Sequence, residues 1–400
     1  MNILYFTYDI PYPLNSGGKI RAYYLLRALS KHHKVTLFSF YRTEEQRKLL
    51  GNLEKYCHAI KLVKRRPLHS FATFLYLPYF PFPAALYYSP SVYRLLRNET
   101  IQGKYDALHI ESFYTSMYSD GDFPIPTVLG TENIEWHVYD AYAKQQRAIG
   151  IHQLLQWEVS RIKKFEEHTW RMATKCLAVS KENAEEIQKV TAKPCVVIPN
   201  GVNTSEFTPI QQSVKKSPYT LTFVGNINYL QNKDAAGWLI ADIWPKVHHL
   251  LNEEGIASRL LIAGAATDEL RARTKDPHIS ILGEVSDIRS VYKKTDVVLA
   301  PLRIGSGTKF KILEAAACAI PVVTTPTGCE GLTGMTHEHE LLVATDAESI
   351  AASIKRIATS DSLGRRLAQN AHKRVVASYS WDAIGSRLVA VYEELINHHR

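Results

Sequence analysis

The chain has few cysteines. Over 400 residues there are five, at Cys57, Cys176, Cys195, Cys318 and Cys329. The number is odd, no Cys-x-x-Cys pair occurs, and Cys176 and Cys318 lie in apolar segments. This pattern argues against a disulfide framework and for a reducing compartment. No uncharged apolar run reaches the roughly 18 residues of a membrane span, so none is expected. The opening Met1–Asp9 meets a charge too early for a secretory signal. A cytoplasmic location is expected, with a peripheral position at the inner face of a membrane left open. No Gly-x-Gly-x-x-Gly occurs, and Ile20 follows Gly18-Lys19 where a P-loop needs Ser or Thr. No basic stripe is interleaved with aromatics, so nucleic acid is not an expected partner. Asp120-Gly-Asp122 is the one Asp-x-Asp pair; set before Phe123-Pro124, it reads as a surface turn. His337-Glu-His-Glu340 lacks the spacing of a zinc-binding helix and reads as a solvated loop. No metal and no cofactor are expected.

What is present is a globular composition, 46% hydrophobic and 22% charged, with a formal net charge of +9. The length suits two domains, each able to bury a core. The positive balance favours anionic partners such as a nucleotide diphosphate or an acidic membrane surface. Residues 2–8 read as a strand. A helix follows, with Ala22, Leu25, Leu26 and Leu29 on one face, and then a strand over 33–40. Strand–helix alternation resumes later, with strands over Tyr219–Val224, Arg259–Ala263, His278–Leu282 and Val297–Ala300. Between the first two, Ala236, Leu239, Ile240, Ile243, Val247 and Leu250 share a helix face, with a kink expected at Pro245. Such alternation implies the α/β class, with doubly wound parallel sheets that bind ligands beyond the carboxyl ends of their strands.

One stretch organises the second half. Val297–Ala300 is a short β-branched run, broken by Gly305-Ser306-Gly307. Thr308 is placed to cap a helix running to about Ala319. A helix N-terminus beside glycines, with Lys309 and Lys311 close by, suits a phosphate. Gly307, Lys311 and Glu314 fall at i, i+4 and i+7 on one face. Glu314 could there accept hydrogen bonds from a ribose diol, or merely pair with Lys311 at the surface.

The run Gly305-Ser-Gly-Thr-Lys-Phe-Lys-Ile-Leu-Glu-Ala315, followed by Ile320-Pro-Val-Val323, resembles the donor-binding segment of glycosyltransferase family 4. The match is to the branch reading GxGTxxKxLEA. Ile198-Pro-Asn-Gly-Val-Asn-Thr-Ser-Glu-Phe207 is similar to that family's IPNGVDxxxF. The resemblance implies a retaining enzyme of the GT-B fold, two Rossmann-like doubly wound domains facing a cleft. An N-terminal acceptor-side domain would span 1–207, and a C-terminal nucleotide-sugar domain 208–380. The last helix, about 381–400, would pack back on the first domain.

The resemblance also implies site residues. Donor binding falls to Gly17, Gly18, Asn226, Lys233, Gly305, Ser306, Gly307, Thr308, Lys309 and Glu314. The acceptor side falls to His109, Glu111, Glu132 and Asn133, and the chemistry to Glu132, Lys309 and Glu314. The chain departs from the usual pattern at three places. Ser306 stands where most members have a first glutamate. Asn226 stands for an arginine, and Glu132 for a histidine that faces the reacting sugar.

The expected activity is metal-independent transfer of a sugar from a UDP- or GDP-linked donor. The acceptor would be a glycan or a lipid-linked glycan, in cell-surface polysaccharide or glycoconjugate synthesis. The alternatives are a nucleotide-sugar-binding protein without catalysis and an epimerase of the same fold. Residues 61–97 join basic Lys61-Leu-Val-Lys-Arg-Arg66 to a stretch rich in aromatics and proline. They read either as a core-packing insert or as a contact with a membrane surface.

Overall fold

A computed structural model of the protein describes residues 1–67, 70–121, 123–146, 148–210, 217–305 and 307–399. Ser306 and Asp122 lie outside the described residues, as does most of the expected linker near 208–217. The chain divides into two compact units, 1–199 with 381–400, and 200–380.

The first unit is built on seven strands: β1 Asn2–Thr7, β2 Lys34–Tyr41, β3 Ala59–Lys64, β4 Ala107–Glu111, β5 Thr127–Gly130, β6 Lys175–Ala178 and β7 Cys195–Val197. Their spatial order is β3-β2-β1-β4-β5-β6-β7, and every pairing is parallel. The central strands β1 and β4 are buried on both faces, which is why they read as near-continuous apolar runs. The helix Trp381–His399 belongs to this unit. Trp381 stacks on Tyr24 at 4.9 Å, and Lys31 pairs with Asp382 at 2.7 Å. A Cβ on Gly385 would lie 2.6 Å from that of Ala28, so the helix approaches Gly17–Ser30 as closely as a glycine permits.

The second unit has six parallel strands: β8 Tyr219–Val224, β9 Ser258–Ala263, β10 Ile279–Gly283, β11 Val297–Ala300, β12 Val322–Thr324 and β13 Leu342–Val343. They lie in the order β10-β9-β8-β11-β12-β13. One face is covered by Ala347–Thr359, whose N-terminus is held by Asp346 and Ser349 in a reciprocal capping box. Two α/β units with parallel sheets are thus observed.

Two local expectations change. The helix after the glycine loop spans Phe310–Ala317 and is capped at Lys309, not Thr308. Lys309 holds extended backbone (φ −98°, ψ 110°), and its carbonyl accepts the first helical bond, from Ile312. The helix stops before Ala319, which turns left-handed (φ 53°) ahead of Pro321. The second change is at Pro245. The helix loosens into a π turn over Leu239–Ile243, just before Trp244–Glu253 begins. Pro245 has no N–H to offer the carbonyl four residues back, so the irregularity sits ahead of it. In the 337–340 loop His337, Glu338 and His339 are exposed, as a solvated loop requires, while the fourth residue is not. Glu340 is buried, and its carboxylate accepts from the Thr336 amide at 2.8 Å.

Candidate functional site

In each unit the chain reverses its winding at the middle of the sheet, between β1 and β4 and between β8 and β11. The carboxyl ends of the strands on either side of such a point are where open α/β sheets hold ligands. The residues of interest gather at these two points.

In the second unit, β8 runs out into Gly225-Asn226 and β11 into the loop that carries Gly305 and Gly307. Both of these glycines have positive φ, 116° and 72°, a region that side chains disfavour. Lys309 donates its ammonium to the Gly307 carbonyl at 2.7 Å, across the loop. Asn200, from the Ile-Pro-Asn-Gly turn, donates to the Thr308 carbonyl at 3.3 Å and holds the other side. Lys311 is buried on the helix face below. Its Nζ donates to Asn232 Oδ1 at 2.7 Å and lies 4.2 Å from the centre of the Phe223 ring. Asn232 Nδ2 in turn donates to the Asn226 carbonyl at 2.9 Å. This chain of bonds ties the glycine-loop helix to the turn after β8. One turn further along, half-buried Glu314 accepts a hydrogen bond from Tyr292 Oη at 2.8 Å.

Burial sets the charge state here. It lowers Lys309 to about 8 and Lys311 to about 7, the latter also repelled by Lys309. It raises Glu314 to about 7, against the pull of the Tyr292 hydrogen bond and of Lys311. An anion arriving at the rim would favour the charged form of both lysines. Lys233 points away into a half-exposed pair with Glu269 at 2.5 Å. Arg303, on the loop after β11, makes a forked pair with Asp234 at 2.6 and 3.0 Å and stacks over Trp238.

In the first unit, Gly17 and Gly18 open the helix Gly17–Ser30 directly after Ser16. A Cβ on Gly18 would stand 2.6 Å from Tyr8 Oη and 2.7 and 2.8 Å from the Glu132 carboxylate oxygens. Only a glycine therefore lets that carboxyl come so close to the start of the helix. Burial raises Glu132 to about 8, helped by the nearby charges of Glu111 and Glu135. Burial likewise raises Glu135 to about 7. Glu166 also stands well above the usual carboxylate range through burial; it receives the Glu135 and Trp136 amides at 3.0 and 2.9 Å.

Beneath Glu132 lies a fully buried network. Arg21 Nε donates to Glu111 Oε1 at 2.7 Å, and Arg21 Nη1 donates to the Ile198 carbonyl at 2.8 Å. His109 bridges Glu111 Oε2 and Tyr392 Oη, both at 2.6 Å, and stacks on Tyr5 at 4.4 Å. Burial alone would raise Glu111, but the Arg21 guanidinium and His109 together hold it below the usual carboxylate range. An ionised Glu111 can only accept, so His109 Nε2 carries a proton.

Two family models match the chain. The model described as Glycosyltransferase Family 4 covers residues 15–206, and that described as Glycosyl transferases group 1 covers 218–360. The first runs from the Gly17-Gly18 turn through β2–β7, and the second takes in all six strands of the second sheet and the loop that carries Gly305 and Gly307. The chain is a glycosyltransferase of the GT-B fold.

The glycosyltransferase is 25% identical over 394 residues to an uncharacterized 44.6 kDa protein in the cps region of Klebsiella pneumoniae, covering 94% of this chain and 96% of the relative. It is 24% identical over 337 residues to the phosphatidyl-myo-inositol mannosyltransferase of Mycobacterium leprae, covering 79% and 81%. Among solved structures it is similar to sucrose-phosphate synthase from Thermosynechococcus elongatus, with a TM-score of 0.69, 16% identity and 99% of both chains covered. It is also similar to Anabaena HepE in complex with UDP and glucose, with a TM-score of 0.67, 13% identity and 98% and 100% covered. At such identities these structures speak to the fold.

Of the expected donor residues in the second unit, Asn226, Gly305, Gly307, Thr308, Lys309 and Glu314 come together at its switch point, and Lys233 does not. In the first unit Gly17, Gly18 and Glu132 come together, with half-buried Asn133 beside Glu132. His109 and Glu111 lie below them with no exposed surface. Sequence reasoning missed Asn232, Tyr292, Arg21 and Arg303. Asn232 is one position from Lys233, on the neighbouring helix face. Arg21 is one turn past Gly18. Nothing in the sequence marks Tyr292 as the partner of Glu314.

Proposed function

We propose that the enzyme moves a sugar from a UDP- or GDP-linked donor to a glycan or lipid-linked acceptor, with retention at the anomeric carbon and without a metal. It would work in the cytoplasm or at the inner face of a membrane, in cell-surface polysaccharide or glycoconjugate synthesis. One observation carries this reading. Lys309 and Lys311 are withdrawn from water beside a glycine loop at the carboxyl rim of the second sheet, and burial lowers both. A diphosphate there would regain their full charge and meet the loop amides. The same groups would then stabilise the nucleoside diphosphate as it leaves. Glu314, oriented by Tyr292, would take the ribose diol, and Asn226 and Thr308 would shape the pocket floor.

Gly17 and Gly18 would offer helix-terminal amides to the donor. Glu132, protonated near neutral pH, would donate a hydrogen bond where other members use histidine. His109, Glu111 and Asn133 would form the support of the acceptor side, and residues 61–97 would meet a membrane surface. The Mycobacterium leprae relative, a phosphatidyl-myo-inositol mannosyltransferase, favours a lipid acceptor, and the cps-region relative favours polysaccharide synthesis. The UDP-bound Anabaena structure favours a uridine nucleotide.

The test is incubation with a panel of nucleotide sugars and acceptors, with the product anomer read by NMR. A glycoside of retained configuration supports the reading. Isomerised donor without transfer, or binding without any product, would overturn it.

A further inference from the structure

The described residues of 61–97 present two faces. On the inner one, Tyr76 and Phe80 pack against Tyr88 at 4.8 and 4.5 Å, and Lys61 is engaged by Glu99 at 2.6 Å. These three are partly buried. On the outer one, Phe71, Phe74 and Leu75 of the helix Phe71–Tyr76 stand exposed at the i, i+3 and i+4 positions. Phe71 is 77% exposed, and Tyr79, just beyond the helix, 78%.

The long helix Ile149–Met172 extends this surface. Its Arg161 donates to the carbonyls of Leu77 and Phe80, and its Glu158 accepts from the Phe82 amide at 2.5 Å. Trp157, one turn earlier on that face, lies 4.7 Å from the Arg161 guanidinium and is 57% exposed. Leu154, a further turn along, is exposed as well. Soluble surfaces seldom gather large apolar side chains in this way without a purpose.

A basic concavity of about 420 Å³ adjoins the patch, lined by Arg42, Lys64, Arg65, Arg66 and Pro67. Its three arginines are held in place, and Lys64 is exposed. Arg42 and Arg65 both donate to Tyr87 Oη, at 3.2 and 3.1 Å. Arg66 donates to Ser89 Oγ at 3.3 Å and lies 5.6 Å from the centre of the Tyr76 ring, on the helix that carries Phe71 and Phe74. Arg66 Nη1 is buried and has no hydrogen-bond partner among the described residues. The acids nearby are Glu44, 3.8 Å from Lys64, and Asp9, whose charge acts on Arg42.

We propose that this face docks the protein on an anionic lipid bilayer. The aromatic helix would lie at the boundary of head groups and acyl chains, and the basic concavity would hold lipid phosphates. Charge complementarity selects this occupant. A bilayer offers anions beside hydrocarbon, in the order in which the protein offers cations beside aromatics. The inference deepens the proposed function, and only its bearing on a lipid-linked acceptor rests on that reading.

The experiment is flotation of the full chain with phosphatidylcholine vesicles, with and without phosphatidylserine, at low and high salt. Nucleotide-sugar affinity is measured on the same samples. Wild type should float only with the anionic vesicles and be released by salt. Lys64→Glu with Arg65→Glu should lower partition at least about twentyfold, since each cation near such a surface is worth about fivefold. Phe71→Ser with Phe74→Ser changes exposed positions only. It should lower partition at least about tenfold and leave donor affinity unchanged. Wild type left at the bottom, equal flotation with neutral vesicles, or variants floating like wild type would each overturn the proposal. So would a dimer by light scattering that Phe74→Ser dissolves, which would put a second copy on this face. Lost donor binding with intact flotation would overturn the transfer reading alone.

Discussion

Glu314 makes its case through its surroundings. Its carboxyl is withdrawn from water, held by Tyr292 at 2.8 Å, and near the lysines of the glycine loop. Glu314→Ala is expected to weaken nucleotide-sugar binding at least about tenfold, near 1.4 kcal/mol, measured by calorimetry on a folded variant. Tyr292→Phe removes only the orienting bond and should cost less. Glu132 offers a pH test. Its pKa in the folded chain is raised to about 8, so the native state holds the proton more tightly than the unfolded one. Its stabilising effect is complete below the unfolded value, near 4.5, and is lost as pH rises through about 8. Urea unfolding of wild type should therefore show stability falling between about pH 5 and pH 8, and Glu132→Gln should flatten that fall. A parallel slope in the two proteins would show that Glu132 does not hold this proton. Sequence placed Glu132 and Glu314 by resemblance, but it could not show that burial raises the one or that a tyrosine on another helix donates to the other. Both depend on what folds over or beside a residue.

At the scale of elements, the strands were the most legible part. β8 and β11 were read at the bounds observed, because a buried parallel strand is a short β-branched run whatever surrounds it. The helix start after the glycine loop was not. Thr308 has the right chemistry for a cap, yet its carbonyl is taken by Asn200 and the helix begins a residue later. The C-terminal helix yields a packing prediction. Gly385 lets it sit against Ala28, and a larger side chain must push the two helices apart. Gly385→Val is expected to destabilise the first unit by about 1–3 kcal/mol, read as a lower urea midpoint. An unchanged midpoint would mean that the helix is not held at this spacing.

For the whole molecule, the prediction concerns metal. Buried Lys311, half-buried Lys309 and a glycine loop gather where a diphosphate leaving group would need positive charge. Turnover is therefore expected to survive EDTA, and a strict Mg²⁺ or Mn²⁺ requirement would overturn that part of the proposal. Raising the pH through about 7 to 8 should weaken nucleotide binding in the same assay, because both lysines then lose their protons. The sequence by itself determined the α/β class, the strand–helix alternation and the glycine turns, because these follow from local periodicity and from the backbone freedom of particular residues. It also carried the resemblance that picked out Gly305–Lys309 and Glu314. Only the tertiary structure decided that Asn232, not Lys233, reaches Lys311, and that His109 and Glu111 are buried supports. It likewise decided that Tyr76 and Phe80 turn inward while Phe71 and Tyr79 face water. The physical reason is the same in each case. Hydrogen-bond partners and loss of solvent are set by which distant segments meet, and no local pattern contains that.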